Sequence, residues 1–304
     1  MPAPVRPLAP APVITAPAPA APDPTVLVSA VADRVREHIV NMCAGPDGGH
    51  LGGSLSLVEI LATLYFRVLR VDPADPVAAG RDIFLLSKGH GALALYAVLA
   101  ERGFFPVGEL ATFGRPGSRM MAHPVRAIPG VEMPTGALGH GLALGNGFAL
   151  ADRSRRCFVV MGDGELQEGS VWEAAMATSG LGLGNLTAVV DRNGLQLAGE
   201  TEATVSLEPL ADRWRAFGWT VREVAGHDPA ALAEAFQPGE PGRPVVVLAQ
   251  TVKGKGLPFI QGRAESHFAR LSERQHAKAL AVLRARRNRG SLWPSPPGRP
   301  TATC

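Results

Sequence analysis

The residues with the clearest chemical potential are Asp163 and Asn193, each of which follows an apolar segment. Asp163 lies within Gly162-Asp163-Gly164 after Cys157–Met161, and Asn193 follows Leu186–Val190. Carboxylate and amide oxygens beside glycines suit a Mg²⁺ ion bound to a diphosphate, because this ion takes oxygen ligands and usually keeps phosphate and water in its octahedral shell. The alternative interpretation of Gly-Asp-Gly alone is a tight turn followed by a helix cap.

The segments that must position these two residues form a predicted βαβ unit. Both apolar segments are typical of buried strands, and the segment 170–179 between them is typical of a helix. A right-handed crossover leaves both strand ends on one edge of a parallel sheet. We therefore expect Asp163 and Asn193 to lie side by side at the carboxyl edge, where open α/β sheets bind ligands.

Strands alternate with helices from about residue 80 to 252, which predicts one α/β domain with a central, mostly parallel sheet flanked by helices on both faces. Five or six strands are expected. Ser56 and Glu59 have the spacing of a capping box and predict a helix that begins at Leu57. The other segments expected to be regular are the strands 83–86, 219–224 and 244–252 and the helices 25–43, 57–69, 92–100, 141–151 and 272–289.

Three histidines occur in loop segments rich in glycine or proline. His50 lies within Gly48–Ser54, which we expect to be a loop because it is too rich in glycine for a helix or strand. His90 lies within Ser87–Gly91, a glycine turn that opens onto a helix and so favours phosphate. His123 precedes Pro124. The alternative for His50 and His123 is an ordinary loop histidine without chemistry.

Taken together, these motifs resemble those of transketolases, and the chain is identified as a member of the thiamine diphosphate-dependent enzymes with the corresponding fold. The segments Gly162–Gly169, Ser87–Gly91, Pro134–Gly141 and Thr251–Gly256 all match. The resemblance implies thiamine diphosphate as cofactor and Mg²⁺, or Ca²⁺ or Mn²⁺, as metal. The implied cofactor-binding residues are His90, Gly136, Leu138, Gly162, Asp163, Gly164, Asn193 and His267.

The resemblance also implies the metal ligands and the catalytic residues. Asp163, Asn193 and the backbone carbonyl of Leu195 correspond to the metal ligands. His50, His123 and His267 correspond to histidines that move protons between hydroxyl groups of the sugar. Glu168 corresponds to a glutamate at the interface between subunits, whereas Glu165 is also explained as an acidic residue of the first helical turn.

The sequence departs from the family pattern at four places. Leu51 stands where many members have Pro, Ala122 where Gly is usual, and His140 where Gln is common, so His140 is assigned no chemistry. Ser266-His267-Phe268 departs from the usual Trp-His pattern. His276 is therefore kept as a second, weaker candidate for the family histidine.

The segment after Lys255 is too short for the pyrimidine-binding and third domains of a full-length transketolase. The resemblance therefore implies the amino-terminal subunit of a split transketolase, which transfers a two-carbon ketol unit from a ketose (phosphate) to an aldose (phosphate). The expected partner is the carboxy-terminal subunit, in a heterotetramer of two plus two. The alternatives are a ketol transferase of specialised metabolism, a subunit of a 2-oxo acid decarboxylating complex, and a non-catalytic cofactor-binding protein.

Composition sets the remaining expectations. The 304 residues carry a net charge of +3, but the Lys and Arg excess lies in residues 270–304, so the body 1–269 is acidic and no nucleic-acid groove is expected. Three cysteines without a CxxC pair indicate a reduced, cytoplasmic environment, and no apolar run predicts a membrane span. We expect a disordered Pro/Ala-rich arm over 1–24, the cofactor-binding domain over 25–289 and a flexible tail over 290–304.

Overall fold

A five-stranded parallel sheet forms the centre of the structure, a computed structural model that describes residues 24–197 and 199–288. The strand order is β1-β2-β3-β7-β6, and a separate antiparallel ribbon pairs β4 with β5. The predicted α/β class and parallel sheet are confirmed. In chain order the strands are β1 (Ile83–Leu86), β2 (Cys157–Gly162), β3 (Leu186–Arg192), β4 (Leu195–Gln196), β5 (Gly199–Glu200), β6 (Thr220–Ala225) and β7 (Val245–Gln250).

The register of β2 and β3 aligns their carboxyl ends. Gly162 at the end of β2 pairs with Asp191 in β3, and Asp191 pairs in turn with Ala249 of β7. Every neighbouring pair in the main sheet is parallel. The segments that follow β1, β2, β3 and β7 therefore leave the sheet at one edge, as the βαβ pattern predicts.

Helices cover both faces of the sheet, because side chains of each strand alternate between two apolar clusters. Val160, Val189 and Val247 belong to one cluster, whereas Val159, Ala188 and Val246 belong to the other. Near-continuous apolar strands are typical of a parallel sheet covered on both sides. The helices are α1 (Pro24–Cys43), α2 (Leu51–Ser56), α3 (Val58–Thr63), α4 (Ala92–Arg102), α5 (Gly141–Ala151), α6 (Gly169–Gly180), α7 (Thr201–Thr204), α8 (Leu210–Ala216), α9 (Pro229–Ala235) and α10 (Glu273–Asn288).

The segment around His50 differs from expectation. Residues 51–56 form α2, so the prediction that Gly48–Ser54 is wholly a loop is wrong. Gly52 is needed there for packing, because a Cβ at this position would lie 2.2 Å from Ser266 Oγ. The capping box is also wrong: Ser56 Oγ donates to Asp191, and Glu59 accepts from Arg36. Ser56 Oγ also donates to the carbonyl of Gly53 in its own helix, but neither side chain caps α3.

Several expectations fall outside the described part of the chain. The expected Pro/Ala-rich arm coincides with residues 1–23, apart from Pro24, which begins α1. The expected tail and Cys304 also lie outside it. Within the described ranges, no helix is both long and apolar enough to cross a membrane. Cys43 and Cys157 are buried as free thiols, and burial raises the pKa of each to about 12.

Candidate active site

Asp163 and Asn193 contact the same turn at the carboxyl edge of the sheet. One carboxylate oxygen of Asp163 accepts from the amide of Gly164 at 2.9 Å and the other from the amide of Gly194 at 2.5 Å. The side-chain oxygen of Asn193 accepts from the amide of Leu195 at 3.1 Å. Side-chain oxygens of Asp163 and Asn193 therefore accept from the neighbouring amides of Gly194 and Leu195. This agrees with the predicted proximity of the two strand ends.

Burial raises the pKa of Asp163, and the nearby carboxylate of Asp191 acts in the same direction. The amide of Gly194 and the guanidinium of Arg192, whose Nη1 lies 3.4 Å from Asp163, oppose this shift. A cation near this carboxylate would favour its ionised form.

A buried ion pair lies beneath the Asp163 turn, and sequence reasoning missed it. Asp191 is fully buried and accepts from Lys88 Nζ at 2.5 Å, from Ser56 Oγ at 2.6 Å and from Thr251. Burial opposes the ionisation of Asp191, but the Lys88 ammonium and these donors hold its pKa below the usual value. Lys88 also donates to the carbonyl of Gly53 at 3.3 Å. The Lys88–Asp191 ion pair thus connects the segments that carry His50, His90 and Asp163.

Four histidines from four different segments form one cluster. The ring centroid of His50 lies 4.5 Å from that of His90 and 5.5 Å from those of His123 and His267. His90 lies 5.2 Å from both His123 and His267. The structure therefore brings together all the histidines that sequence analysis assigned to the site, whereas His276 lies elsewhere and bonds to Asn41 at 2.8 Å.

The surroundings of His50, His90 and His267 keep these three imidazoles neutral. Burial, followed by the neighbouring histidines, lowers the pKa of His50 to about 4 and of His90 to about 3. Burial, followed by Lys253 and Lys88, lowers the pKa of His267 to about 4. A neutral imidazole has a free lone pair and can accept a proton from a hydroxyl group. The cluster can thus act as a set of proton acceptors.

Lys253 is a second cation of the site that sequence reasoning placed only as part of a loop. Its Nζ lies 3.4 Å from His267 Nδ1 and donates to the carbonyl of Gln196 at 3.2 Å. Burial and the charge of Lys88 lower the pKa of Lys253 to about 8. Two ammonium groups beside the imidazoles favour an anion at this place. The nearest sequence signal was Lys253-Gly254-Lys255, which follows β7.

The remaining residues singled out in the sequence differ in their burial and contacts. Gly136 packs near His123, since a Cβ there would lie 3.5 Å from its ring, and Leu138 is half-buried. His140 and Glu168 are both exposed. Glu165 is buried, and accepts from Ser87 Oγ and from the amides of Gly139 and Gly162. Glu165 is therefore a connector of three loops and not merely an acidic residue of a helical turn.

The residues present fit a diphosphate with its metal ion. Two buried oxygens, Gln196 Oε1 and Thr135 Oγ1, have no hydrogen-bond partner among the described residues, which leaves them available to a ligand. A Cβ on Gly194 would meet nothing within 4 Å, so space is open above this turn. The three imidazoles of His50, His90 and His267 have nitrogen atoms within 4.8 Å of one another. Nitrogen donors beside ammonium groups suit phosphate oxygens better than Mg²⁺, which prefers the oxygens of Asp163 and Asn193.

Residues 28–284 match the family pattern described as "Transketolase, thiamine diphosphate binding domain". The chain is 43% identical over 242 residues to the 6-deoxy-6-sulfo-D-fructose transketolase subunit of Clostridium sp. strain MSTE9. The matched region covers 77% of this chain and 88% of that protein. It is 46% identical over 243 residues to a subunit of the apulose-4-phosphate transketolase of Actinobacillus succinogenes, with 78% and 88% covered.

Solved structures show the same fold. A transketolase from Pichia stipitis in complex with xylulose 5-phosphate aligns with a TM-score of 0.79 and 29% identity, covering 84% of this chain and 40% of that one. The transketolase of Campylobacter jejuni aligns with a TM-score of 0.79 and 28% identity, covering 85% and 43%. The chain thus spans less than half the length of these solved transketolases. It belongs to the transketolase family of transferases, as a counterpart of the thiamine diphosphate-binding amino-terminal subunits of its two-chain members.

Proposed function

We propose that this chain binds the diphosphate of thiamine diphosphate through Mg²⁺ and transfers a two-carbon ketol unit from a ketose (phosphate) to an aldose (phosphate). The observation that carries the proposal is that the Asp163–Asn193 turn lies beside four clustered histidines and two lysines at one edge of the sheet. When bound, thiamine diphosphate supplies the carbon nucleophile of such a transfer. Everything else at this edge serves to bind, orient and move protons.

The metal and the diphosphate are assigned to the anchoring residues. The oxygens of Asp163 and Asn193 and the carbonyl of Leu195 would hold Mg²⁺. His90, Lys253 and His267 would donate to phosphate oxygens, and Gly162 and Gly164 would allow the close approach of the backbone. Gly136 and Leu138 are proposed to flank the thiamine ring system.

The proton-moving residues are His50, His123 and His267. Each half of a ketol transfer requires a proton to leave one hydroxyl group and return to another. A neutral imidazole takes the proton and the imidazolium returns it, so a single residue can serve both directions, a contribution of typically about 10²–10⁴-fold in rate. The lowered pKa values of His50 and His267 keep the accepting form populated at neutral pH.

The assembly is part of the proposal. The similar proteins from Clostridium and Actinobacillus are named as subunits, which supports a second chain that supplies the rest of the site. We propose a heterotetramer of two plus two in the cytoplasm, where the buried thiols of Cys43 and Cys157 remain reduced. Exposed Glu168 is the proposed contact between the paired sites.

The test is to express this chain with a candidate partner and to assay xylulose 5-phosphate as donor and ribose 5-phosphate as acceptor. Transfer of the ketol unit by the mixture, and by neither chain alone, is the expected result. The matched control is Asp163→Asn in the same mixture, which should lose activity at ordinary cofactor concentration. Transfer by the single chain, or full activity of the Asp163 variant, would contradict the proposal.

One observation bears on the choice of substrate. The ring of Phe268 lies edge-on to His50 with centroids 5.1 Å apart and remains 49% exposed, so it forms an apolar wall beside a proposed proton acceptor. This wall favours the second candidate, a ketol transferase of specialised metabolism with a less polar donor or acceptor. A donor panel that compares phosphorylated ketoses with unphosphorylated, deoxygenated ketoses would separate the two.

A further inference from the structure

The loop that follows β7 carries Lys253 into the site. Val252, Lys253, Gly254 and Lys255 succeed one another there, and Lys253 directs its ammonium group to His267 and Gln196. Gly254 has a φ of +75°, a backbone conformation that favours glycine, and its amide donates to the carbonyl of Gly52 at 2.9 Å. The position of the Lys253 ammonium group therefore depends on what holds this loop.

The partly buried side chain of His227 holds Val252 in this loop. His227 Nε2 accepts a hydrogen bond from the amide of Val252 at 2.9 Å, and His227 Nδ1 lies 2.8 Å from Glu59 Oε2. Since Nε2 is the acceptor, the proton of the neutral ring must lie on Nδ1, which then donates to Glu59. The carboxylate of Glu59 thus fixes both the tautomer and the orientation of the ring that holds Val252.

The same carboxylate holds the other end of the loop through Arg36. Glu59 Oε1 accepts from Arg36 Nη2 at 2.5 Å, and Arg36 Nε donates to the carbonyl of Lys255 at 3.3 Å. Arg36 is fully buried and Glu59 is 4% exposed. Burial opposes the ionisation of Glu59, but Arg36 and His227 hold its pKa well below the usual range, so it remains a carboxylate.

We propose that Glu59 is a positioning residue of the diphosphate site: with Arg36 and His227 it fixes the loop at Val252 and at Lys255, and so sets the place of the Lys253 ammonium group between these two points. This inference rests on the proposed function. Removing two charges from water is costly, and a buried ion pair is often no more stable than well-packed apolar residues. Stability alone therefore does not explain a buried Arg36–Glu59 pair. The contacts with the backbone of Val252, through His227, and of Lys255, through Arg36, do explain it.

The decisive variants are His227→Leu and His227→Gln. Leucine removes the acceptor for the Val252 amide, whereas glutamine can place an acceptor near the position of Nε2. We expect hydrogen exchange of the Val252 and Gly254 amides to become about tenfold faster in His227→Leu, the effect of one lost hydrogen bond, and to stay near the native rate in His227→Gln. The affinity for Mg²⁺ and inorganic pyrophosphate, measured by calorimetry, should fall about tenfold in the first variant only.

A second pair of variants tests Glu59 itself. Glu59→Gln should accelerate exchange in the same loop and weaken pyrophosphate binding. Asp82→Asn is the matched control, because Asp82 is equally buried and pairs with Arg70 and Arg156, but lies before β1 at the opposite edge of the sheet. This control should lower stability without a local change in the loop. If His227→Leu does not fold, the comparison of these two variants decides.

The inference would be overturned if Glu59→Gln and His227→Leu both kept the native exchange rate and the native pyrophosphate affinity. It would also be overturned if the control Asp82→Asn changed the loop as much as Glu59→Gln does, or if the control His227→Gln changed it as much as His227→Leu does. Faster exchange without a loss of pyrophosphate affinity would also overturn it, since the loop would then move without consequence for the site. Failure of the proposed function looks different: the native chain would bind neither pyrophosphate nor thiamine diphosphate with Mg²⁺. The exchange measurements need no ligand and remain valid in that case.

Discussion

At the scale of single residues, the site is defined by charge states that burial sets. The imidazoles of His50, His90 and His267 are neutral because burial and neighbouring positive or potentially positive groups disfavour their protonation. Asp191 stays ionised against its burial because Lys88 and two hydroxyl groups contact it. The site thus combines neutral imidazoles that can accept protons with a buried, charge-compensated Lys88–Asp191 pair beside the Asp163 turn.

His123 is the residue whose removal best separates catalysis from binding. It lies in the histidine cluster, but the Asp163 turn and the lysines are held by other contacts. We expect His123→Ala in the two-chain enzyme to lower kcat by about 10²–10⁴-fold and to leave the Kd for thiamine diphosphate nearly unchanged. Steady-state kinetics and cofactor titration are the measurements, with exposed His140→Ala as control. A collapse of cofactor affinity would move His123 from proton transfer to binding.

The histidine cluster also predicts how stability depends on pH. An unfolded histidine has a pKa near about 6.5, whereas the folded values of His50, His90 and His267 are about 4, 3 and 4. Below about pH 6.5 the unfolded chain therefore binds protons that the folded chain does not, and stability falls as pH drops toward 4. Above that pH these groups contribute no slope.

Urea unfolding of the isolated chain at pH 7.5, 6 and 5 is the measurement for this pH dependence. The double variant His50→Gln/His90→Gln should show a smaller loss of stability between pH 6.5 and 5 than the native chain. An equal loss in both chains would mean that other groups dominate the titration.

At the scale of elements, strand ends were predictable and buried pairings were not. The apolar runs of β2 and β3 and the residues after them indicated the βαβ unit, because buried parallel strands differ sharply in composition from the loops that follow. The Lys88–Asp191 pair joins residues 103 positions apart and the Ser56–Asp191 bond joins residues 135 apart. No local spacing reveals such partners. The capping box failed for this reason, since Ser56 and Glu59 were committed to distant contacts.

Helix α5 offers a matched pair of glycines for a test at this scale. A Cβ on Gly141 would lie 2.2 Å from Ser87 Oγ and 2.8 Å from the Ser87 Cα, whereas a Cβ on Gly147 would meet nothing within 4 Å. We expect Gly141→Ala to destabilise the isolated chain by about 1–3 kcal/mol, because the helix must move away from the Ser87–Glu165 contact. Gly147→Ala should instead stabilise it by up to about 1 kcal/mol through helix propensity. Urea unfolding compares them, and equal effects would contradict the packing described here.

At the scale of the whole molecule, the two apolar clusters run from Val28 to Leu283 and enclose the sheet from both sides. The core of the described part is thus built from within the predicted domain 25–289. We expect a chain that begins at residue 24 to keep the unfolding midpoint of the full chain, since α1 and its contacts with α3, α4 and α10 are retained. Calorimetric unfolding is the measurement. A clear drop in the midpoint would show that residues 1–23 contribute to the fold.

The whole-molecule function depends on one claim: that Asp163 and Asn193 hold a divalent ion against a diphosphate at the end of β2 and β3. The most direct measurement is the electron paramagnetic resonance of Mn²⁺, titrated into the chain with and without thiamine diphosphate. We predict a bound-ion spectrum that requires the cofactor and that Asp163→Asn weakens about tenfold or more, while Asp152→Asn, before β2 at the other edge, leaves it intact. Binding that ignores thiamine diphosphate, or that survives unchanged in Asp163→Asn, would contradict the claim.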